Sequence, residues 1–316
     1  MTTAPEAEQE KADNYEQAIN ATLTFIHIYK WNSEDGKIDA EIKHWIGKEY
    51  KPNNVTPDIT LQFTSEAGLV VELKESLPNN NPEEDRLKGK FEQLASYDTQ
   101  LENWDTHTRK VNTQELVLLV DQKFTRKVMD YIKEKGLQFN NFSQNFCVVQ
   151  YSPASGLKDA VFLRAEYGKL SDYSNVKYKE LEHGIPVALE YLLKSGLSTV
   201  KFLDYPPPPS YLMNILWQNV FPTLILPKQW MEFNASNRRI LEIEANVSDL
   251  RNRLANNFVD HNSKHTIKEN WIKKALDIFV QLKYAQKINE KNYLIKYKTE
   301  QVNFITEVKG LELKTS

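Results

Sequence analysis

Cysteine occurs once in the 316 residues, as Cys147, and glycine only ten times. One thiol can neither close a disulfide within the chain nor build a multi-thiolate metal site. That excludes zinc fingers, iron–sulfur centres and a disulfide scaffold, and it fits a reducing, cytoplasmic setting. No apolar stretch approaches the roughly 20 residues that span a bilayer. Residues 1–14 are polar and acidic rather than a basic patch leading into an apolar run. The expectation is a chain that is neither secreted nor inserted in a membrane. Gly47-Lys48 lacks the glycine-rich approach of a phosphate-cradling loop, and there is no G-x-S-x-G elbow. None of the six histidines forms an i, i+4 pair around a glutamate. Nucleotide hydrolysis, serine-type triads and helical zinc sites therefore have no support.

What is present is the balance of a folded protein: 41% hydrophobic, 11% aromatic and 26% charged residues. The length is about twice a common domain size of ~150, which favours two domains. The net charge of −3 conceals a division along the chain. Residues 1–50 carry ten acids against five lysines, and residues 264–298 carry nine lysines against three acids, Glu269, Asp277 and Glu290. One basic module in a near-neutral chain suits contact with a polyanion, although a solvated lysine-rich helix face gives the same composition.

Hydrophobic spacing predicts a helix over 15–31, a turn at 32–36 and a second short helix over 38–50. Two extended segments follow, 59–63 and 69–73, joined by a loop of hairpin length. A helix is expected over 83–104, with Leu87, Phe91, Leu94 and Leu101 on one face, then a strand at 115–120, a helix at 124–135 and strands at 146–151 and 161–165. This order describes an α/β domain over 1–168, a mixed sheet flanked by helices. The polar stretch 169–176 is the expected linker, and 177–316 the expected second domain, mainly helical, with helices at 185–194, 211–220 and 238–258. Pro206 to Pro209 form a stiff spacer. Cys147 falls in a predicted strand and is expected in the core.

The chemically informative stretch is the hairpin. Side chains alternate along a strand, so Val70, Glu72 and Lys74 share one face and Leu69, Val71 and Leu73 the other. Folding about Glu66 sets position 58 opposite 74 and 60 opposite 72, which gathers Asp58, Glu72 and Lys74 on one surface. A one-residue slip would turn Ile59, Leu61 and Phe63 away from the apolar face. Two carboxylates, with the backbone carbonyl of Leu73, suit a hard Mg²⁺ ion. The ion would activate a water against a phosphodiester while Lys74 neutralises developing charge. For the bare pattern alone, a surface ion pair between Glu72 and Lys74 on an edge strand is the favoured explanation, because such short motifs are frequent by chance.

Pro57-Asp58, thirteen residues, then Glu72-Leu73-Lys74 resembles the signature of the PD-(D/E)XK nuclease superfamily, which includes restriction endonucleases, junction resolvases and recombination exonucleases. That resemblance implies a restriction-endonuclease-like fold, with a helix before the hairpin that often bears a further acid and a helix after it. Gln93-Leu94-Ala95-Ser96-Tyr97 is similar to the Q-x-x-x-Y element of the exonuclease branch, whose two side chains lie one helical turn apart and face the site. The extra acid is Glu41 or Glu49, with Glu41 preferred; one-metal and two-metal versions both stay open. The implied cofactor is Mg²⁺, with Mn²⁺ as a substitute.

The C-terminal pattern is an amphipathic helix over 267–284, then short extended segments at 285–288 and 293–297 around a turn. It resembles a winged helix, in which the second helix enters the major groove and the hairpin touches the backbone. Lys268, Lys273, Lys274, Lys291 and Lys296 are then the candidate DNA contacts. The combined expectation is a Mg²⁺-dependent endonuclease acting on DNA, in defence, mobile-element or repair processing, and working as a homodimer when both strands are cut. Three alternatives stay open: an inactive DNA-binding regulator that keeps the nuclease fold, an RNA-cleaving enzyme, and a lysine-rich tail that contacts protein.

Overall fold

The computed structural model describes residues 4–47, 55–64, 66–74, 83–98, 111–137, 141–157, 159–173, 176–194, 196–235, 240–259, 267–298, 302 and 304. The chain forms two compact units, one built on Glu16–Asp204 and the other on Tyr205–Val259 with the C-terminal residues and those up to Tyr15. In the first unit the order is α1 (Ala4–Lys30, from Glu16 on), a two-residue ribbon β1 (Trp31–Asn32) and β2 (Lys37–Ile38), β3 (Lys43–Ile46), β4 (Ile59–Gln62), β5 (Ala67–Lys74), α2 (Glu83–Tyr97), β6 (Thr113–Asp121), α3 (Gln122–Glu134), β7 (Phe146–Pro153), β8 (Ala160–Gly168), α4 (Tyr178–His183), β9 (Ile185–Ala188) and α5 (Glu190–Lys194). Strands β3 to β9 lie side by side in chain order in one seven-stranded sheet. The pairs β5·β6 and β6·β7 are parallel and the others antiparallel.

Central strands covered on both faces should be continuously apolar, and β5, β6 and β7 are buried along almost their whole length. Each parallel step needs a crossover, and α2 and α3 supply them. Both pack on the face that carries Val70, Leu116, Leu118, Val120 and Val148, through Leu87, Phe91, Leu94 and Tyr97 of α2 and Val128, Tyr131 and Ile132 of α3. The Asp121 side chain caps α3 by accepting from the Lys123 N–H (2.8 Å). The opposite face meets α1: Tyr29 contacts Phe63 at 5.6 Å between ring centroids, and Phe63 stacks on Tyr173 at 4.4 Å. Cys147 is buried in β7.

Three stretches expected as helix contain strands instead. Over 38–50, residues 43–46 form β3, with Ile42, His44 and Ile46 buried in alternation, and they close the open edge of β4. Residues 185–188 form β9, an edge strand on β8 where Pro186 is tolerated. Because β9 joins the sheet, the first unit runs past 169–176. That stretch is held rather than linking: Ser171 donates its N–H (2.9 Å) and hydroxyl (2.7 Å) to Glu115. The helix after the hairpin is described to Tyr97 and not over the remainder of 83–104.

The second unit contains α6 (Pro209–Ile215), a π turn at Leu216–Val220, α7 (Pro227–Ala235), β10 (Leu241–Asn246), α8 (Val247–Phe258), α9 (Glu269–Gln281), β11 (Ala285–Lys287) and β12 (Asn292–Tyr297). The expected helix 238–258 is the third divided stretch. Burial alternates over 241–246, and Asn246 starts α8 by accepting from the N–H groups of Ser248 (2.9 Å) and Asp249 (3.3 Å). The three strands pair in the order β10-β12-β11. Their inner face packs on an aromatic cluster in which Trp217 lies within 4.9 to 5.8 Å of Phe279, Tyr284, Tyr297 and Phe304.

Candidate active site

The hairpin β4–β5 pairs Ile59 with Val71, Thr60 with Val70, Leu61 with Leu69 and Gln62 with Gly68. Position 58 therefore lies opposite 72 and not 74, a two-residue displacement from the expected register. The fold is centred one residue before Glu66, with the turn closed by the Phe63 N–H to the Ala67 carbonyl (2.9 Å) and Glu66 at positive φ. A shift of two preserves which face each side chain takes, so Glu72 and Lys74 remain on the face toward α2 and α3.

Asp58 and Glu72 converge on one cation, and that cation is the ammonium of Lys90 on α2. Lys90 donates to Glu72 Oε2 at 2.5 Å and to Asp58 Oδ2 at 3.2 Å. Asp58 Oδ2 also accepts from the Leu73 N–H at 2.6 Å, so Leu73 takes part through its N–H. The other oxygen of Glu72 accepts from the Tyr97 hydroxyl at 2.9 Å, and Gln93 donates to that hydroxyl at 3.0 Å and to the Thr56 carbonyl at 3.5 Å. Helix α2 thus sets Lys90, Gln93 and Tyr97 on one face, at i, i+3 and i+7, against the acid pair. Asp58, Glu72, Gln93 and Tyr97 are brought together as the sequence suggested. Lys74, only 5% exposed, points its ammonium at the Phe124 ring of α3, 5.8 Å from the centroid.

A third acid completes the cluster. Gly47, at φ +70°, donates its N–H to the Asp58 carbonyl (3.1 Å), and a Cβ at Gly47 would lie 2.6 Å from the Cβ of Asp204. Only a residue without a side chain admits Asp204 here. Burial, followed by the charge of Asp58, pushes the Asp204 carboxyl up to about 7. Burial and Asp58 likewise push Glu72 well above the carboxylate range, opposed by Lys90. For Lys90 burial alone would favour the neutral amine, but Asp58 and Glu72 hold its pKa above the usual lysine value. Tyr97 is pushed up by burial and then by Glu72. One ammonium faces three carboxyls, and burial with the excess of negative charge raises the proton affinity of Glu72 and Asp204 while keeping the lysine charged.

The upstream acid takes a different place from the one expected. Glu41 is exposed in the turn before β3, where its backbone N–H donates to Asp39 (2.8 Å); the acid beside Asp58 is Asp204. Glu49 lies outside the described residues. Among the described residues, no three His, Cys, Asp or Glu side chains are arranged as a metal-holding group. The pair Asp58 and Glu72 nevertheless suits a hard divalent ion: the donors are carboxylate oxygens, they converge, and they already draw the ammonium of Lys90 beside them. Sequence reasoning missed Lys90 and Asp204. The first carried a signal, since Lys90 falls three residues before Gln93 on the same helical face; the second carried none.

The lysines of the second unit are arranged more loosely. Lys268 precedes α9 with its ammonium 5.8 Å from the Trp271 ring centroid, Lys273 and Lys274 lie on α9, and Lys291 is exposed in the β11–β12 turn. Glu269 accepts from the Ser248 hydroxyl (2.8 Å), and that bond, with the nearby charges of Lys291, Lys273 and Arg251, holds its carboxyl below the usual range. Lys273 and Lys291 therefore share one neighbourhood, with Arg251 as an unforeseen member. Lys296 stands opposite Glu242 on the outer face of the three-stranded sheet. No family model, curated protein or solved structure matches the chain. Among the described residues, no helix is long and apolar enough to cross a membrane.

Proposed function

We propose that this protein is a divalent-metal-dependent deoxyribonuclease of the PD-(D/E)XK type, whose second unit is a winged-helix-like module that holds DNA. The observation that carries the reading is the convergence of Asp58 and Glu72, from neighbouring strands, on a single cation with Gln93 and Tyr97 alongside. Helix α1 ahead of strands β3 to β5 and helix α2 after them, packed on a mixed sheet, support this reading, although the stretch expected to carry the upstream acid is strand β3 and not a helix. For the second unit the support is the succession β10, α8, α9, β11, β12, preceded by α6 and α7, with strand order β10-β12-β11, and lysines on α9 and in the β11–β12 turn. In this reading α9 enters the groove and the turn touches the backbone.

Asp58 and Glu72 would hold the ion, Mg²⁺ or Mn²⁺, which when bound supplies charge to a phosphodiester and acidifies a water. The chain's own groups fix the rest. Tyr97 and Gln93 orient the Glu72 carboxylate, the Leu73 N–H orients Asp58, and β5 and α2 bury Glu72 so that its charge acts in a poorly screened setting. An acid-rich site repels phosphates by itself, so affinity for DNA must come from a separate basic surface, and the second unit provides one. Cutting both strands takes two copies of this single site, hence a dimer on DNA.

The test is incubation of the purified protein with supercoiled plasmid, linear duplex and labelled RNA in Mg²⁺, Mn²⁺ or EDTA, beside Asp58→Asn and Glu72→Gln. Cleavage of DNA by the wild type alone, and only with a divalent ion, is expected. Retention of duplex with every substrate left intact would favour a DNA-binding regulator, and preferential RNA cleavage would redirect the reading to a ribonuclease.

A further inference from the structure

We propose that the ammonium acting on the phosphodiester is that of Lys90, from α2, and not that of Lys74 in the strand motif; the proposal rests on the nuclease reading and adds a catalytic residue to it. Lys90 Nζ lies 2.5 Å from Glu72 Oε2 and 3.2 Å from Asp58 Oδ2. An ammonium carries three N–H donors, and these contacts occupy two of them. The third belongs to a side chain that is 26% exposed, whereas Lys74 is 5% exposed and covered by the Phe124 ring. Of the two ammonium groups beside the acid pair, that of Lys90 belongs to the less covered side chain and is the one held by the acids. The stem of Lys90 is fixed by α2, the helix that also places Gln93 and Tyr97, so its head is positioned by the element that orients Glu72.

In the hydrolysis, the oxygen of a water bonds to phosphorus, and the bond from phosphorus to the leaving oxygen breaks with its electron pair on that oxygen. One water proton ends on the leaving oxygen as a hydroxyl, and the other passes to the new phosphate monoester or to solvent. Negative charge grows on the non-bridging and leaving oxygens as this happens. The third N–H of Lys90 donates to that charge, while Asp58 and Glu72 anchor the other two donors. Lys90 gives up no proton in the balance; it supplies a fixed positive charge.

The experiment uses the full chain, a DNA duplex and Mg²⁺, with single-turnover cleavage and duplex affinity in EDTA measured for each variant. Lys90→Met should lower the cleavage rate about 100-fold or more while duplex affinity stays within about threefold. Lys74→Met should lose at least about tenfold less, and Lys88→Gln, an exposed lysine of the same helix, should stay within about threefold of the wild type. Lys90→Cys treated with bromoethylamine, which rebuilds an ammonium one sulfur away from lysine, should recover at least about tenfold, because the native Cys147 is buried and shielded from the reagent. Lys90→Met cleaving near the wild-type rate, a greater loss in Lys74→Met, or alkylation that restores the melting temperature but no cleavage overturns the assignment and leaves the nuclease reading standing. A wild type that cuts neither DNA nor RNA with any divalent ion removes the nuclease reading itself.

Discussion

The two charged regions are built in opposite ways. At the site in the first unit, Glu72 is fully buried and the acid pair has named neighbours within a few ångströms: Lys90 for Glu72 and Asp58, Tyr97 for Glu72, Leu73 for Asp58. In the second, Lys268, Lys274 and Lys291 sit at the surface, and of the acids near them Glu290 is exposed and Glu269 half-buried. Buried charges are poorly screened and need definite partners, so removing one group should be felt strongly and locally. Exposed charges are screened by salt and act as a sum, so removing one should be felt weakly and at a distance. Placement and energetics together imply different duties, chemistry for the first and holding for the second.

The largest expected effect lies at the acid pair. Glu72→Gln keeps the shape and the bond from Tyr97 but removes the charge, and cleavage should fall on the order of 10³-fold while DNA affinity in EDTA is unchanged. Equal loss of binding and cleavage would break the division of labour between the units. Next is stability. Lys90→Met leaves Glu72 buried without its cation, so the metal-free protein should lose roughly 3 kcal/mol, read by urea melts, unless Glu72 takes up a proton. The loss should accordingly shrink as the pH is lowered, because burial already raises the proton affinity of Glu72.

A third effect is pH dependence in EDTA. Unfolded, the Asp204 carboxyl ionises near an ordinary ~3.9; folded, burial and Asp58 push it up to about 7. Between those values the folded state keeps a proton that the unfolded state has released, so stability should decline as pH rises from ~4 through about 7 and then level off. Asp204→Asn should remove that slope and gain roughly 2 kcal/mol at pH 8, well below the full shift because Asp58, Glu72 and Lys90 share the charge. A variant that melts lower than the wild type at pH 8 would show that Asp204 is held as a needed anion instead.

How far this was legible in the sequence follows from the same physics. The faces of the hairpin were, because Ile59, Leu61 and Phe63 and then Leu69, Val71 and Leu73 alternate over enough positions to fix inside from outside. The register was off by two, since alternation fixes parity and the turn alone fixes the rest. Gln93 and Tyr97 could be placed on one helical face from their spacing, but nothing local says that Lys90 would reach across to β4 and β5. Strands β3, β9 and β10 passed for helix because each is short, lies at a sheet edge and depends on a partner distant in the chain. Asp204 was invisible for the same reason: its neighbour Gly47 lies at the far end of the unit's sequence.

The smallest effects belong to the lysines, and they sharpen the contrast most directly. If α9 and the β11–β12 turn hold a DNA backbone, Lys273→Gln and Lys291→Gln should each weaken duplex binding by about 1 kcal/mol, regardless of DNA sequence, and lower the slope of log affinity against log salt by about one. Lys296→Gln should do less, because Lys296 stands opposite Glu242 on the outer sheet face and its charge is already opposed. Fluorescence anisotropy across a salt series, in EDTA so that no substrate is consumed, reads all three. Because Lys273 and Lys291 share the neighbourhood of Glu269, their losses should add, and Glu269→Gln should strengthen binding by removing an acid that faces both. A salt slope that none of the substitutions alters would place the DNA-holding surface elsewhere and leave the lysines of this unit as a solvated face.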